Sequence, residues 1–157
     1  MLPENLKENT VAAAVEAFDG DAVRGGKLEF GELTLEIAAA KIASVCGFLK
    51  YDQSFVRVST VTAVDRYPAE PRFEIVYHLH SIERNQRVRL KAMLPGADPV
   101  IESVTGVWRG AGWYEREVFD LFGVRFLNHP DLRRILMPDE WEGHPLRKDY
   151  PVTGTRV

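Results

Sequence analysis

Apolar residues recur at helical spacing in three parts of the chain, and this pattern predicts three helices. They cover Pro3–Phe18, Ile42–Leu49 and Gly112–Phe122. The first pattern stops at Asp19-Gly20, and Gly123 follows the last one at the position where glycine commonly ends a helix. The buried face of the last helix is predicted to comprise Tyr114, Val118, Leu121 and Phe122.

Apolar residues at alternate positions predict five short strands. Two of them flank Gly31-Glu32, where the alternation changes parity, as in two strands joined by a tight turn or one bulged strand. Three more follow at Val56–Val64, Phe73–Leu79 and Val88–Leu94, and Asp98-Pro99 is expected to begin a short helical turn. This order of elements predicts a two-layer α+β fold, with helices packed on a mixed, mostly antiparallel sheet.

The carboxyl-terminal part of the chain follows no periodic pattern. Four prolines favour an extended path there, and apolar residues spread through it argue against simple disorder. We therefore predict an α+β domain at 1–122 and an extended, irregular partner-docking tail at 123–157. The alternative is that the surface of the chain's own domain buries the apolar residues of the tail, which are Phe126, Leu132, Ile135, Leu136, Trp141 and Leu146.

Composition and charge exclude several classes of protein. The 157 residues suit one domain, and the net charge of −3 argues against binding the phosphate backbone of nucleic acids. The longest runs without a charged residue have eight positions, so we expect no direct membrane insertion. The acidic amino-terminal segment is unlike a transit peptide. Cys46 is the only cysteine, so the chain can form no internal disulfide and cannot bind a four-cysteine iron–sulfur cluster.

Two constellations could bind a metal, and both have a plainer interpretation. His78 and His80 share one face of a strand, but no further ligand stands at a spacing typical of zinc sites, so a solvated sheet face is favoured. Glu117, Asp120 and His129 could serve a small metal-dependent hydrolase, although Arg116 and Asp120 are spaced for an ion pair on one helix. A stand-alone regulatory binding module is a third hypothesis.

The segment from Glu115 to Pro151 resembles the thirty-kilodalton (C) subunit of respiratory complex I, the NADH-quinone oxidoreductase. The family signature reads Glu-Arg-Glu, an acid, two apolar residues, a histidine and a basic–apolar run; here it is EREVFDLFGVRFLNHPDLRRIL, and MPDEWEGHPLRKDYP continues it. GELTLEIAAAKIASVCGFLKYD and PRFEIVYHLHS resemble the family less specifically. Homologues also occur in related hydrogenase and plastid-type complexes, so these assemblies stay open.

The resemblance implies a non-catalytic subunit of the peripheral arm that binds no cofactor itself. NADH, FMN, iron–sulfur clusters and quinone are then bound by other subunits. The implied partners are subunits D, B and I, of which D forms the quinone site, at the cytoplasmic face of a bacterial inner membrane. Arg133, Arg134, Arg147 and Lys148 are expected to pair with acidic groups or carbonyls on these partners. The full set of candidate interface residues is Glu115, Arg116, Glu117, Asp120, His129, Asp131, Arg133, Arg134, Trp141, Arg147, Lys148 and Tyr150.

Overall fold

The computed structural model describes residues 2–153 and has a five-stranded sheet at its centre. Its strands are β1 (Val23–Glu29), β2 (Glu32–Ile37), β3 (Arg57–Asp65), β4 (Phe73–Ser81) and β5 (Gln86–Leu94). They lie in the order β1-β2-β5-β4-β3, where β2 and β5 are parallel and all other neighbours are antiparallel. The predicted mixed, mostly antiparallel sheet is therefore confirmed.

A two-residue turn joins the first two strands, as the change of parity predicted. Phe30 and Gly31 both have positive φ angles, of 53° and 78°, between the paired residues Glu29 and Glu32. Two such residues match the twist of a tight hairpin, so this part of the chain forms two strands rather than one bulged strand.

Three helices pack on one face of this sheet. They are α1 (Thr10–Phe18), α2 (Ile42–Tyr51) and α3 (Ala111–Phe122), and their buried apolar residues join those of the strands in one core. The prediction of one helix from Pro3 is wrong, because the chain forms a separate 3-10 turn at Glu4–Leu6. The Asn9 side chain then accepts hydrogen bonds from the amides of Val11 and Ala12 and so starts α1.

A second, small sheet lies beside α3. It consists of the parallel strands β6 (Val100–Glu102) and β7 (Arg125–Leu127). The helical turn expected at Asp98-Pro99 is therefore wrong: the chain bends at Asp98 and enters β6 at Val100, and the Pro99 carbonyl accepts a hydrogen bond from the amide of Arg125. The chain after α3 thus begins with a strand, and Phe126 is buried.

The longest helix in the described part of the chain, α3, has twelve residues. Within residues 2–153, no helix combines the length and the apolar character that crossing a bilayer requires.

Candidate functional site

Helix α3 buries charged side chains together with apolar ones. Val118 and Leu121 are buried as predicted, whereas Tyr114 and Phe122 are only half-buried. The further buried residues of this helix include Glu115, Arg116 and Asp120. A buried charge is costly unless it is paired and hydrogen-bonded, so the partners of these three residues define the site.

Asp120 binds the tail through both carboxylate oxygens. Its Oδ2 accepts hydrogen bonds from three consecutive amides, those of Ile135, Leu136 and Met137, at 3.0, 2.8 and 2.9 Å. Its Oδ1 accepts one from Nη1 of Arg134 at 2.7 Å. This single, fully buried side chain therefore fixes the path of four successive tail residues.

The same bonds keep Asp120 ionised. Burial by itself raises the pKa of this carboxyl group, but the hydrogen bonds from Met137, Arg134 and the neighbouring amides outweigh burial. The pKa of Asp120 therefore lies below its ordinary value.

Two arginines complete this contact from opposite sides. Arg134, which is on the tail, donates to the carbonyls of Trp141 and Gly143 as well as to Asp120. Arg116, which is on α3, donates to the carbonyls of Arg133 and Arg134 at 3.1 and 2.8 Å. The ion pair expected between Arg116 and Asp120 is not formed, because each of the two side chains bonds to the tail instead.

The tail also closes the carboxyl end of α3. The helix ends at Gly123, whose φ of 75° is the left-handed conformation predicted for it. The carbonyl of Asp120 accepts bonds from Arg134 and from His144 Nδ1. The carbonyls of Leu121 and Phe122 accept from the amide of Leu146 and from Nε of Arg147, respectively. The last three carbonyls of the helix, which lack partners within it, are thus all satisfied by the tail.

The end of the tail is attached to the sheet. Asp65 at the end of β3 accepts two hydrogen bonds from Arg72 and one from the amide of Lys148. Arg72 also contacts Asp149 at 2.6 Å. The hydrogen bonds from Arg72, together with those from the backbone, hold the pKa of the buried Asp65 far below its usual range.

Glu115 forms a separate polar cluster beneath the helix. Its carboxylate accepts hydrogen bonds from the Ser103 hydroxyl at 2.6 Å and from the Val104 amide at 2.7 Å. Burial raises its pKa to about 7, although the two hydrogen bonds oppose this shift. Nε2 of His129 lies 3.8 Å from Glu115 Oε2 and 3.1 Å from the Gly112 carbonyl.

The predicted site residues thus have different surroundings. Glu117, Asp131, Arg133 and Lys148 are exposed, and Trp141 and Tyr150 are half-buried. Arg134 and Arg147 bind carbonyls of this chain, and their expected pairing with partner subunits stays a prediction. The sequence did not indicate several residues of this chain that bond to the site or to the tail, because each lies far along the chain from its bonding partner or in an aperiodic segment. These residues are Asp65, Arg72, Ser103, His144 and Asp149.

The geometry gives the metal-dependent hydrolase no support. Glu117 is exposed, while both carboxylate oxygens of Asp120 and both ring nitrogens of His129 are hydrogen-bonded within the chain. Between residues 2 and 153, no group of three or more His, Cys, Asp and Glu side chains could hold a metal ion.

Four large apolar side chains in the described part of the tail are exposed, namely Leu127, Leu136, Leu146 and Val152. Leu136 and Leu146 are 62% and 52% exposed, although their backbone amides bond to Asp120 and to the Leu121 carbonyl. The chain therefore holds the backbone of Leu136 and Leu146 by hydrogen bonds, while their side chains face solvent.

Comparison with known proteins places this geometry in a family context. Residues 35–156 match the family model described as "Respiratory-chain NADH dehydrogenase, 30 Kd subunit". The C subunit of the NADH-quinone oxidoreductase of Geobacter sulfurreducens is 54% identical over 79% of this chain and 77% of its own length.

Two solved structures share the fold. A trypsin-resistant fragment of Nqo5 has a TM-score of 0.66 at 27% identity, over 76% of this chain and 97% of the fragment. A chain of the membrane-bound sulfane sulfur reductase, an archaeal respiratory membrane complex, has a TM-score of 0.79 at 27% identity, over 93% of this chain and 86% of that chain.

Proposed function

This chain belongs to the family of 30 Kd subunits of the respiratory-chain NADH dehydrogenase, and we propose that it is a structural and assembly subunit of the NADH-quinone oxidoreductase. Its place in that complex is the peripheral arm. The 54% identity to the C subunit of an NADH-quinone oxidoreductase favours the quinone-reducing assembly.

We assign no catalytic residue and no cofactor to this chain. Arg116 and Asp120 of α3 hold the tail, Glu115 bonds to Ser103 and Val104, and Cys46 is buried in the core, where burial raises the pKa of its thiol. NADH, FMN, the iron–sulfur clusters and quinone then belong to other subunits, and this chain contributes to turnover only by completing the assembly.

The proposed partners are subunits D, B and I, of which D forms the quinone site, at the cytoplasmic face of a bacterial inner membrane. The observation that carries the proposal is the fixed presentation of Leu136 and Leu146 on a tail held from within the chain. Exposed side chains of the tail, including Arg133 and Lys148, are available for contacts at the rim of such an interface.

Neighbouring arginines of the tail allow a matched test. Arg134→Gln removes a side chain that joins Asp120 to two tail carbonyls, whereas Arg133→Gln removes an exposed side chain that pairs with Asp131. We expect Arg134→Gln to lower the amount of this subunit in the complex isolated from membranes several-fold, and Arg133→Gln to lower it much less. Equal incorporation of the two variants would contradict a docking role for the positioned tail.

A second test leaves the internal contacts intact. Replacing Leu136 and Leu146 with serine should change the free energy of unfolding of the isolated chain by only about 0.5 kcal/mol, because both side chains are exposed. The same double variant should show reduced incorporation and a matching loss of NADH-to-quinone electron transfer in membranes. Full incorporation of the variant would contradict a contact between these leucines and a partner subunit.

A further inference from the structure

The face of the sheet opposite the helices carries a basic groove, and no tail residue up to position 153 lines it. Its volume is about 450 Å³, and side chains from β2, β3, β4 and β5 line it. Arg57, Arg87 and Arg89 contribute three positive charges, and Glu32 contributes one negative charge. The sequence pattern alone had indicated only a solvated face at His78 and His80, which also line the groove.

Strand register brings the basic residues into one row. Arg57 on β3 lies opposite His80 on β4, and His80 lies opposite Arg87 on β5. Residues directly opposite each other on neighbouring strands have β-carbons about 5 Å apart, so Arg57 and Arg87 lie on either side of His80 in this row. A β-bulge between Val58 and Thr60 adds local twist to β3 beside this row.

The groove is the part of this face whose charge is not neutralised. Elsewhere on the face, Lys27 pairs with Glu29, and both Arg66 and Lys91 pair with Glu74; within the groove itself, Arg89 pairs with Glu32. Within residues 2–153, the side chains of Arg57 and Arg87 form no hydrogen bond or ion pair. Two guanidinium groups, each able to bind a carboxylate through two parallel hydrogen bonds, are therefore available in one concave site.

Exposed apolar side chains border the same end of the sheet. β3 and β5 begin there, and β4 ends there, so Val56 and Ile82 flank the row of Arg57, His80 and Arg87. Val56 and Ile82 are 53% and 65% exposed. Arginine side chains beside exposed apolar residues are typical of a protein interface, whereas binding a small anion requires no neighbouring apolar side chains.

We propose that this groove binds an acidic segment of a neighbouring subunit, with carboxylates of that segment paired to Arg57 and Arg87. This second interface shares with the proposed function the premise that the chain is part of an assembly, but it uses a different surface from the tail. An anionic lipid headgroup and free phosphate are the competing occupants.

Lysine replacements can identify the occupant directly. Arg57→Lys with Arg87→Lys keeps both charges and adds two amines, which a carbodiimide couples to a carboxylate in contact with them. The control is Arg24→Lys with Arg109→Lys, which changes two exposed arginines elsewhere on the chain. The coupling is performed on the complex purified from membranes, and mass spectrometry identifies the products.

We expect an amide between Lys at position 57 or 87 and an Asp or Glu of another subunit, at a yield at least about tenfold above the control positions. Coupling only to Glu32 of the same chain, or no coupling at all, would overturn the proposal; the latter is the result for a lipid headgroup or phosphate. Adding Arg134→Gln to the double lysine variant distinguishes the two interfaces. This substitution disturbs the tail and should lower incorporation, whereas the cross-link from the groove should persist in the complex that still assembles.

Titration of the isolated full chain separates the occupants further. At low ionic strength, a glutamate-rich peptide should bind the wild-type chain, and Arg57→Gln with Arg87→Gln should weaken that binding at least about tenfold. Arg24→Gln with Arg109→Gln should change it less than about twofold. Equal weakening by both pairs, stronger binding to phosphatidylglycerol vesicles, or full competition by equimolar inorganic phosphate would each contradict an acidic polypeptide as the occupant.

Discussion

At the scale of single residues, the chain uses buried carboxyl groups in two opposite ways. Asp120 is ionised and surrounded by donors, so it acts as a fixed point for the tail. Glu115 has only two donors, Ser103 and Val104, and burial raises its pKa to about 7. The number of hydrogen bonds that each carboxylate receives decides whether burial favours the neutral or the charged form.

Glu115 should make stability depend on pH near neutrality. Its pKa is higher in the folded chain than the ordinary value of 4.5, so the folded state binds more protons between pH 4.5 and about 7. The stabilising contribution of Glu115 to the free energy of unfolding is therefore complete below pH 4.5 and is lost as the pH rises through about 7. Glu115→Gln, which mimics the neutral form, should remove a decline of roughly 2–3 kcal/mol between pH 5 and pH 8. Urea unfolding of the wild-type chain and of Glu115→Gln at the two pH values measures this decline. An equal change in stability with pH in both proteins would contradict the raised pKa of Glu115.

Asp120 should be far more sensitive to loss of charge. Asp120→Asn places an amide group among four donors and removes the charge that Arg134 pairs with. We expect a loss of about 3 kcal/mol in the free energy of unfolding, because a buried ion pair loses one partner. Glu117→Gln, an exposed change on the same helix, should have almost no effect. A similar stability for the two variants would show that the tail contributes little to the fold.

At the scale of elements, α3 and the tail stabilise each other. The tail supplies the partners that the last carbonyls of the helix lack, and the helix supplies the carboxylate that the tail amides bind. Periodicity predicted three helices and the five strands of the main sheet, because apolar burial sets both spacings, but it placed the start of the first helix too early and missed β6 and β7. It could not predict that Arg116 and Asp120 are buried, since their partners lie in an aperiodic segment with no pattern to read.

The contact between α3 and the tail requires a glycine at position 123. Its φ is positive, and an added β-carbon would lie 2.6 Å from Arg147 Nη2 and from the His144 ring. Gly123→Ala should therefore destabilise the chain by about 1–2 kcal/mol or more. Gly47→Ala is the matched control, because this glycine lies inside α2 with open space around it, and the change should stabilise by about 0.5–1 kcal/mol. Thermal unfolding of both variants tests the difference in sign.

At the scale of the whole molecule, the sequence predicted the class of fold and the family, whereas the long-range fixing of the tail emerged only from the structure. The bond between the Lys148 amide and Asp65 joins residues 83 positions apart. Nothing local to either residue indicates this contact. The same is true of the row of Arg57, His80 and Arg87, which exists only because three strands pair in a particular register.

Arg72 connects the sheet to the end of the tail. Arg72→Gln removes the partner of the buried Asp65 and releases Asp149, so we expect a loss of about 3 kcal/mol in stability. Amide hydrogen exchange should also accelerate between residues 144 and 150. Arg125→Gln, which breaks an exposed pair with Asp98, should cost less than about 0.5 kcal/mol and leave this exchange unchanged. Unaltered protection of the tail in Arg72→Gln would contradict its anchoring role.

The contact between Lys148 and Asp65 also has a consequence for biosynthesis. Domains generally fold as units during synthesis. β3, which carries Asp65, is synthesised long before the Lys148 amide that bonds to it, so this carboxylate receives its last donor only when translation has passed Lys148. A product that terminates before Lys148 consequently lacks this donor to the buried Asp65.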